Sequence, residues 1–374
     1  MATNNVINNA FADNFTAPNK VSKNLMPAGN FTTNPWQAGT SFTASSPSLR
    51  YADRFRYTRS GVITAVFDII KDSDSPTVAE SGILSTSCAK FSCTTSQTTI
   101  AASDAIFSTY GIEGYDFSTI AQRPFTLSFW VKSNVTGVYC VSFRNSANDI
   151  SYVSEYTINV ANTWEKKIIT VSASPSAGTW NYTNSLGLSI NFIMSCGTTF
   201  HTASPNTWVS SNVLATANQV NFASSNTNTF QFALIQLESG TVATPYQEID
   251  ASEVLKYCQR YYLKSFIQGT APAQATGSIL GSLIYRVTNG TAVTFNGGYI
   301  IFPVTMRSTP TATFYNPITA TANWYNFTNS ADSGAAAITP SNLNDRAAAL
   351  RCAQQVSDIP GDTLCIHYLF VSEI

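Results

Sequence analysis

The sequence predicts an all-β protein: a jelly-roll β-sandwich, then a linking helix, then a second, smaller β-sandwich domain. Three observations carry that expectation. Segments of alternating apolar and polar residues recur along most of the chain, separated by Gly, Asn, Ser and Pro clusters. Only one stretch keeps a helical period. The polar surface is built from Ser, Thr, Asn and Gln rather than from charge. Hydrophobic residues make up 44% of the 374 and charged residues 11%, against roughly 25% charged in an ordinary soluble domain. Thr and aromatic side chains suit a pleated, half-buried surface.

Residues 1–23 are Asn-rich and weakly patterned. They read as an arm rather than a domain, for attachment or subunit contact. Residues 24–248 read as the first sandwich. Strands are expected at 61–70 (GVITAVFDII), 124–132 (PFTLSFWVK), 137–145 (GVYCVSFRN), 151–160 (SYVSEYTINV), 164–172 (WEKKIITVS), 186–195 (LGLSINFIMS) and 229–238 (TFQFALIQLE). Many short strands at near-regular spacing favour a sandwich or jelly roll. The period of two assigns faces. Phe125, Leu127, Phe129 and Val131 share one side of their strand, and Trp130 and Lys132 the other. In the next two strands Arg144 and Glu155 fall on the polar side. If these three strands pair, Trp130, Lys132, Arg144 and Glu155 lie on one outward face.

Residues 249–266 read as the linking helix. Asp250 can cap it, with Glu253 at the reciprocal position. Val254, Leu255, Cys258, Tyr261 and Tyr262 form one stripe, and Lys256, Arg260 and Lys264 lie towards the C-terminal end, as the helix dipole prefers. Residues 267–374 read as the second β domain, with strands at 283–287, 292–295, 299–304, 311–315 and 364–371. Asn296-Gly297-Gly298 is expected to turn a hairpin, and residues 319–341 to form a loop. No heptad, collagen triplet or solenoid period appears, so no long shaft is encoded.

The net charge is -1 and no basic block occurs, which argues against a nucleic-acid partner. No basic-then-apolar start is present, and no apolar run approaches roughly 20 residues, so neither a signal peptide nor a membrane span is read. Seven cysteines, widely spaced, fit neither a disulfide framework nor a zinc site and read as small buried side chains. Cys88 and Cys93 could pair across a short turn, but a reducing cytosol argues against it. The two histidines, His201 and His367, are far apart and neither sits in a nucleophile-elbow context. Glu113 with Asp116, and Glu155 with Glu165, are the nearest carboxylate pairs for a glycosidase; they read as solvated. Asp72-Ser73-Asp74, with Asp68 nearby, is oxygen-rich like a Ca²⁺ loop, yet reads as a turn into Pro76. No catalytic residue, metal or cofactor is expected.

An ordered set of motifs runs through the chain. It begins with residues 24–31 (NLMPAGNF), Trp36-Gln37-Ala38-Gly39-Thr40-Ser41-Phe42 and Ala52-Asp53-Arg54-Phe55. It continues with residues 125–133 (FTLSFWVKS), 137–145, 156–159 (YTIN), 162–165 (NTWE), 236–240 (QLESG), 243–246 (ATPY) and 258–262 (CQRYY). It closes with Phe302-Pro303-Val304, Met306-Arg307 and Pro310-Thr311. The set resembles a family of bacteriophage and prophage virion proteins of the tail-fibre or minor structural type. The resemblance implies a jelly roll similar to carbohydrate-binding modules, joined by a helix to a smaller β domain. It implies assembly into a virion in the host cytoplasm, partners among tail, baseplate or capsid proteins, and commonly a homotrimer. The family's Arg after Trp-Gln is Ala38 here, and its usual Trp after Ala-Asp-Arg is Phe55, so the resemblance carries the fold but no ligand contact at those two positions.

The expected function is non-enzymatic: a short tail fibre or receptor-binding component contacting host surface glycans. A capsid decoration or head fibre is the alternative, and a polysaccharide-degrading tail-spike enzyme a second one. Sugar sites stack an aromatic ring on the apolar face of the sugar and fix its hydroxyls with polar groups. Trp130 with Lys132, Arg144 and Glu155 are therefore the candidate carbohydrate-binding residues; the competing reading is that Trp130 covers its sheet against a loop or a neighbouring subunit. Trp36, Trp164, Trp180, Trp208 and Trp324 are expected in packing or rim positions.

Overall fold

The structure, a computed structural model, describes residues 24–32, 34–288, 294–333, 340–353 and 358–374. The expected arm at 1–23 and the start of the strand expected at 292–295 lie outside these residues. The alternating segments of the first domain build two facing antiparallel sheets. One has the order β1 (Ser41–Ala44), β4 (Val66–Asp72), β5 (Cys88–Thr95), β13 (Thr229–Ser239), β7 (Phe125–Ser133), β10 (Glu165–Val171). The other has the order β12 (Trp208–Val209), β9 (Ser151–Ile158), β8 (Gly137–Asn145), β11 (Leu186–Cys196), β6 (Ala105–Glu113), β3 (Phe55–Ser60), β2 (Ser48–Ala52). This is the all-β jelly-roll architecture that the pattern predicts.

Inward-facing residues from both sheets fill the space between them. Phe125, Leu127, Phe129 and Val131 of β7 are fully buried against Val141 and Phe143 of β8 and Tyr156 of β9. The rings of Phe129 and Tyr156 meet edge to face across the sheets at 5.2 Å, and those of Phe125 and Phe143 at 5.5 Å. Burying one such ring is worth about 1.5–3 kcal/mol, so the aromatic rows hold the sheets in a fixed register.

Several expectations need correction. β7 does not pair with β8: it lies between β13 and β10, whereas β8 lies between β9 and β11. Between β7 and β8 the chain crosses from one sheet to the other, and side-chain alternation is the same on either side of that crossing. The strand expected at 61–70 starts only at Val66, because Gly61 turns the chain after β3 with φ 81°. A Cβ there would collide with Asp104. β1, β2, β3, β5, β6 and β12 were not anticipated as strands. Two short helices, α1 (Val78–Ser81) and α2 (Gly114–Phe117), lie in the loops.

The expected helix is shorter, α3 (Ala251–Gln259), because Tyr262–Lys264 already forms β14 of the second domain. Asp250 caps α3 by accepting from the Ser252 N–H at 2.8 Å, but Glu253 does not reciprocate; it pairs with Lys256 at 2.7 Å. Val254 and Cys258 bury against Ala28 of the first domain.

In the second domain β22 (Thr363–Val371) pairs with β14, β15 (Leu283–Arg286), β17 (Thr311–Tyr315) and β18 (Trp324–Asn326). β18 pairs in turn with β19 (Ala331–Ser333). A smaller sheet joins β16 (Thr294–Ile301), β21 (Ala347–Ala353) and β20 (Pro340–Ser341). Asn296-Gly297-Gly298 is therefore not a hairpin turn: it lies within β16, where the register shifts between Asn296 and Gly298. The segment 319–341 is likewise not all loop, since Trp324 is 1% exposed and anchors β18 in the core.

The two domains are locked by side chains from the quoted motifs. Arg54, at φ 61°, inserts its guanidinium between the rings of Tyr110 and Tyr261, 4.9 Å from each centroid. Arg260 and Tyr261 both donate to the buried carboxylate of Glu113. Gln37 donates to both oxygens of Asp53, at 3.3 and 3.1 Å. Lys264 donates to the carbonyls of Gln37, Ile267 and Thr270. Burial, and then the neighbouring Glu373 carboxylate, push Asp53 well above the usual carboxylate range, against the opposing pull of Cys258, Gln37 and Arg54.

Candidate functional site

Alternation along β7 turns Trp130 and Lys132 away from the core, onto the outward face of the six-stranded sheet. The register sets Trp130 opposite Lys166 on β10 and Ala233 on β13, and Lys132 opposite Gln231. The loop after β4 brings Asp74 over this face. Lys132 Nζ reaches Asp74 Oδ2 at 2.7 Å, Gln231 Nε2 donates to the same oxygen at 3.2 Å, and Trp164 Nε1 donates to Oδ1 at 3.4 Å. Lys132 also lies over the Trp164 ring, 5.9 Å from its centroid. Partial burial pushes the Asp74 carboxyl up, but the bonds from Lys132, Gln231 and Trp164 outweigh it and hold it below the usual range. Trp164 is buried, Trp130 is half-buried, and Ile168 beside them on β10 is 54% exposed. Trp130 packs with Ile83 and Tyr246 against Trp164, Ala233 and Leu234, so loops cover part of the indole and the rest lies beside the charged, hydrogen-bonding cluster.

Arg144 and Glu155 lie elsewhere. Their strands, β8 and β9, belong to the seven-stranded sheet, and both side chains occupy its outward face, across the sandwich from Trp130. The four candidate residues thus form two pairs, not one site. Glu155 accepts from Thr216 Oγ1 and from Asn218 Nδ2 at 3.0 Å, tying the loop before β13 onto the sheet. Arg144 is 9% exposed and donates to Asn212 Oδ1 at 2.8 Å and Asn191 Oδ1 at 3.4 Å. Asp74, Gln231 and Trp164 were not singled out for this site; their sequence separations from Lys132 leave no local signal of their meeting.

Glu113 is the acceptor for Arg260 and Tyr261 at the domain junction. Glu155 and Glu165 stand on different sheets. Burial works against the Glu165 carboxylate, but Lys167 and the Asn159 and Val160 amides dominate and hold it down to about 2. Asp72 and Asp74 pair with Lys90 and Lys132, and the Asp74 N–H donates to Asp72 Oδ1 in a turn. Among the described residues no group of three or more His, Cys, Asp or Glu could hold a metal. His367 accepts from or donates to Ser265 Oγ at 2.9 Å, and that hydroxyl also accepts from the Tyr368 N–H, so it braces β14 against β22. Cys88 and Cys93 are both free and lie on the one strand β5, where five residues span about 16 Å, too far for a disulfide. No helix of the described residues is long and apolar enough to cross a membrane.

Of the two departures from the family pattern, Phe55 is wholly buried, its ring 4.7 Å from Phe31 and 4.6 Å from Tyr110. Ala38 lines a cavity of about 50 Å³ at the junction with Asp53, Tyr262 and Glu373.

No family model matches the chain, and no curated protein matches it. Among solved structures the chain is similar to a tailspike protein 4 domain of bacteriophage CBA120, at 14% identity and a TM-score of 0.28 over 50% of this chain and 19% of that one. The chain thus spans about one fifth of the tailspike chain's length. It is also similar to a family 11 carbohydrate-binding module of Clostridium thermocellum, at 13% identity and a TM-score of 0.30 over 55% of this chain and 99% of that one. A third similarity is to a putative sugar binding protein of Bacteroides thetaiotaomicron, at 12% identity and a TM-score of 0.29 over 58% of this chain and 100% of that one.

Proposed function

We propose that this chain is a non-enzymatic structural protein of a bacteriophage virion that contacts host surface glycans through the Trp130 platform. The observation that carries the glycan reading is the half-buried indole of Trp130, held on a rigid sheet beside the Lys132–Asp74–Gln231 cluster. An aromatic face with convergent polar groups is what a sugar ring requires. The virion role rests on the motif resemblance. The non-enzymatic reading is supported by the partners of the acidic candidates, which commit Glu113, Glu155 and Glu165 to holding strands and loops together.

The test combines purified phage particles with the isolated protein. Antibody labelling of particles should decorate the virion, and its position distinguishes a tail fibre from a head decoration. Host glycans should bind the wild type and not Trp130→Ala, without release of new reducing ends. Reducing ends that vanish in Glu155→Gln would overturn the non-enzymatic reading, and unlabelled particles would overturn the virion role.

A further inference from the structure

The outward face of the seven-stranded sheet, opposite the Trp130 platform, carries charge with little to balance it. Register places Arg56 of β3 beside Thr109 of β6, Thr109 beside Asn191 of β11, and Asn191 beside Ser142 of β8. Thr58 pairs with Phe107 in the neighbouring row. Arg144 reaches across this face from β8, its guanidinium 5.5 Å from the Phe107 ring centroid and hydrogen-bonded to Asn191 and Asn212. Both arginines therefore converge over β6.

Three donors there are buried and unpartnered: Nε of Arg56, Nε of Arg144 and the hydroxyl of Thr58. Arg144 is nine-tenths buried, and burial together with the neighbouring Arg56 lowers its affinity for its proton. Two acids border this part of the face: Glu155, four positions along β9 from the Ser151 that lies opposite Arg144, accepts from Thr216 and Asn218, and Glu373 pairs at 3.0 Å with Arg50, the residue directly opposite Arg56 on β2. The Cys196 thiol also neighbours Arg144. Two guanidinium groups thus share a face whose bordering carboxylates are engaged elsewhere, Glu155 by Thr216 and Asn218 and Glu373 by a third arginine. Buried cations and orphaned donors are costly unless a partner supplies charge and acceptors.

We propose that this face is an oxyanion-binding site, formed by Arg56, Arg144 and Thr58 with Thr109 and Asn191 at its floor, and that it takes the carboxylate of an acidic sugar. A planar carboxylate offers the acceptors that guanidinium groups match, and the unpartnered Thr58 hydroxyl adds a further donor beside them. The site is independent of the Trp130 platform, so either can fail without the other.

The test is titration calorimetry of the full chain with D-glucuronate, N-acetylneuraminate, inorganic phosphate and methyl glucoside. Both sugar acids should bind saturably, more weakly as salt rises, and methyl glucoside should not. Arg56→Gln, at a partly exposed position, should weaken sugar-acid binding at least tenfold, while Glu253→Gln, on the exposed side of α3 and outside both sites, should leave it unchanged. Phosphate binding alone would keep the oxyanion site but overturn the sugar-acid assignment. Failure of all three anions to bind, or equal binding by Arg56→Gln and wild type, would overturn the site itself. A circular dichroism spectrum of Arg56→Gln matching wild type keeps a loss of binding from being read as misfolding.

Discussion

Arg260 and Glu113, 147 positions apart, close a two-bond ion pair: Nε to Oε2 at 2.8 Å and Nη2 to Oε1 at 2.5 Å. Glu113 ends β6 of the sandwich and is 2% exposed, whereas Arg260 follows α3 and leads into the second domain. Removing the arginine leaves a buried carboxylate without its counter-charge, held among the described side chains only by the Tyr261 hydroxyl. Arg260→Ala is expected to cost about 3–5 kcal/mol, read by urea denaturation. Glu113→Gln with Arg260→Ala together should cost less than the sum of the single changes; full additivity would refute the coupling.

The junction should also respond to pH. Asp53 is raised above the usual carboxylate range, so the folded chain keeps a proton that the unfolded chain has lost. Its stabilising contribution is present below the ordinary carboxylate pKa and fades as pH rises through the raised value. Wild-type stability should therefore decline more steeply than that of Asp53→Asn when denaturation is followed between about pH 4 and pH 9. Parallel curves would sink this account.

Phe129 meets Tyr156 and Phe192 edge to face, each at 5.2 Å, in the middle of the sandwich. Phe129→Ala should lose about 3–5 kcal/mol, measured as a drop in the denaturant midpoint with an unchanged slope.

Gly29, within the 24–31 motif, presses against β13. A Cβ there would stand 2.1 Å from the Ile235 carbonyl oxygen, while the Ile235 N–H donates to the Gly29 carbonyl at 3.0 Å. The obstacle is backbone and cannot rotate away. Gly29→Ala should cost at least about 1–3 kcal/mol; a thermal midpoint equal to wild type would show that the segment simply shifts.

Much of this architecture was readable from residue order. The face assignments along β7, β8 and β9 follow from alternation, and Trp130 and Lys132 sit on the same side because they are two residues apart. What alternation does not encode is the partner strand. Arg144 and Glu155 obey their own period, yet they belong to the other sheet, so the four-residue site dissolves. Asp74 reaches Lys132 from 58 positions away and Gln231 from 157, through loop geometry with no periodic trace. Likewise Trp36-Gln37, Asp53-Arg54 and Arg260-Tyr261 are distinctive as motifs, but their common address at the domain junction appears only in three dimensions. Trp324 was foreseen as a packing residue, while the strand it anchors was hidden in a small, polar segment.

The central place of β22 has a consequence for biogenesis. Four strands hydrogen-bond to it, and all four precede it in the chain. As the ribosome works from the amino end, those segments emerge with open edges and wait for their shared scaffold. Until β22 is made, those four strands keep unpaired edges that are vulnerable to sticking and chaperone capture.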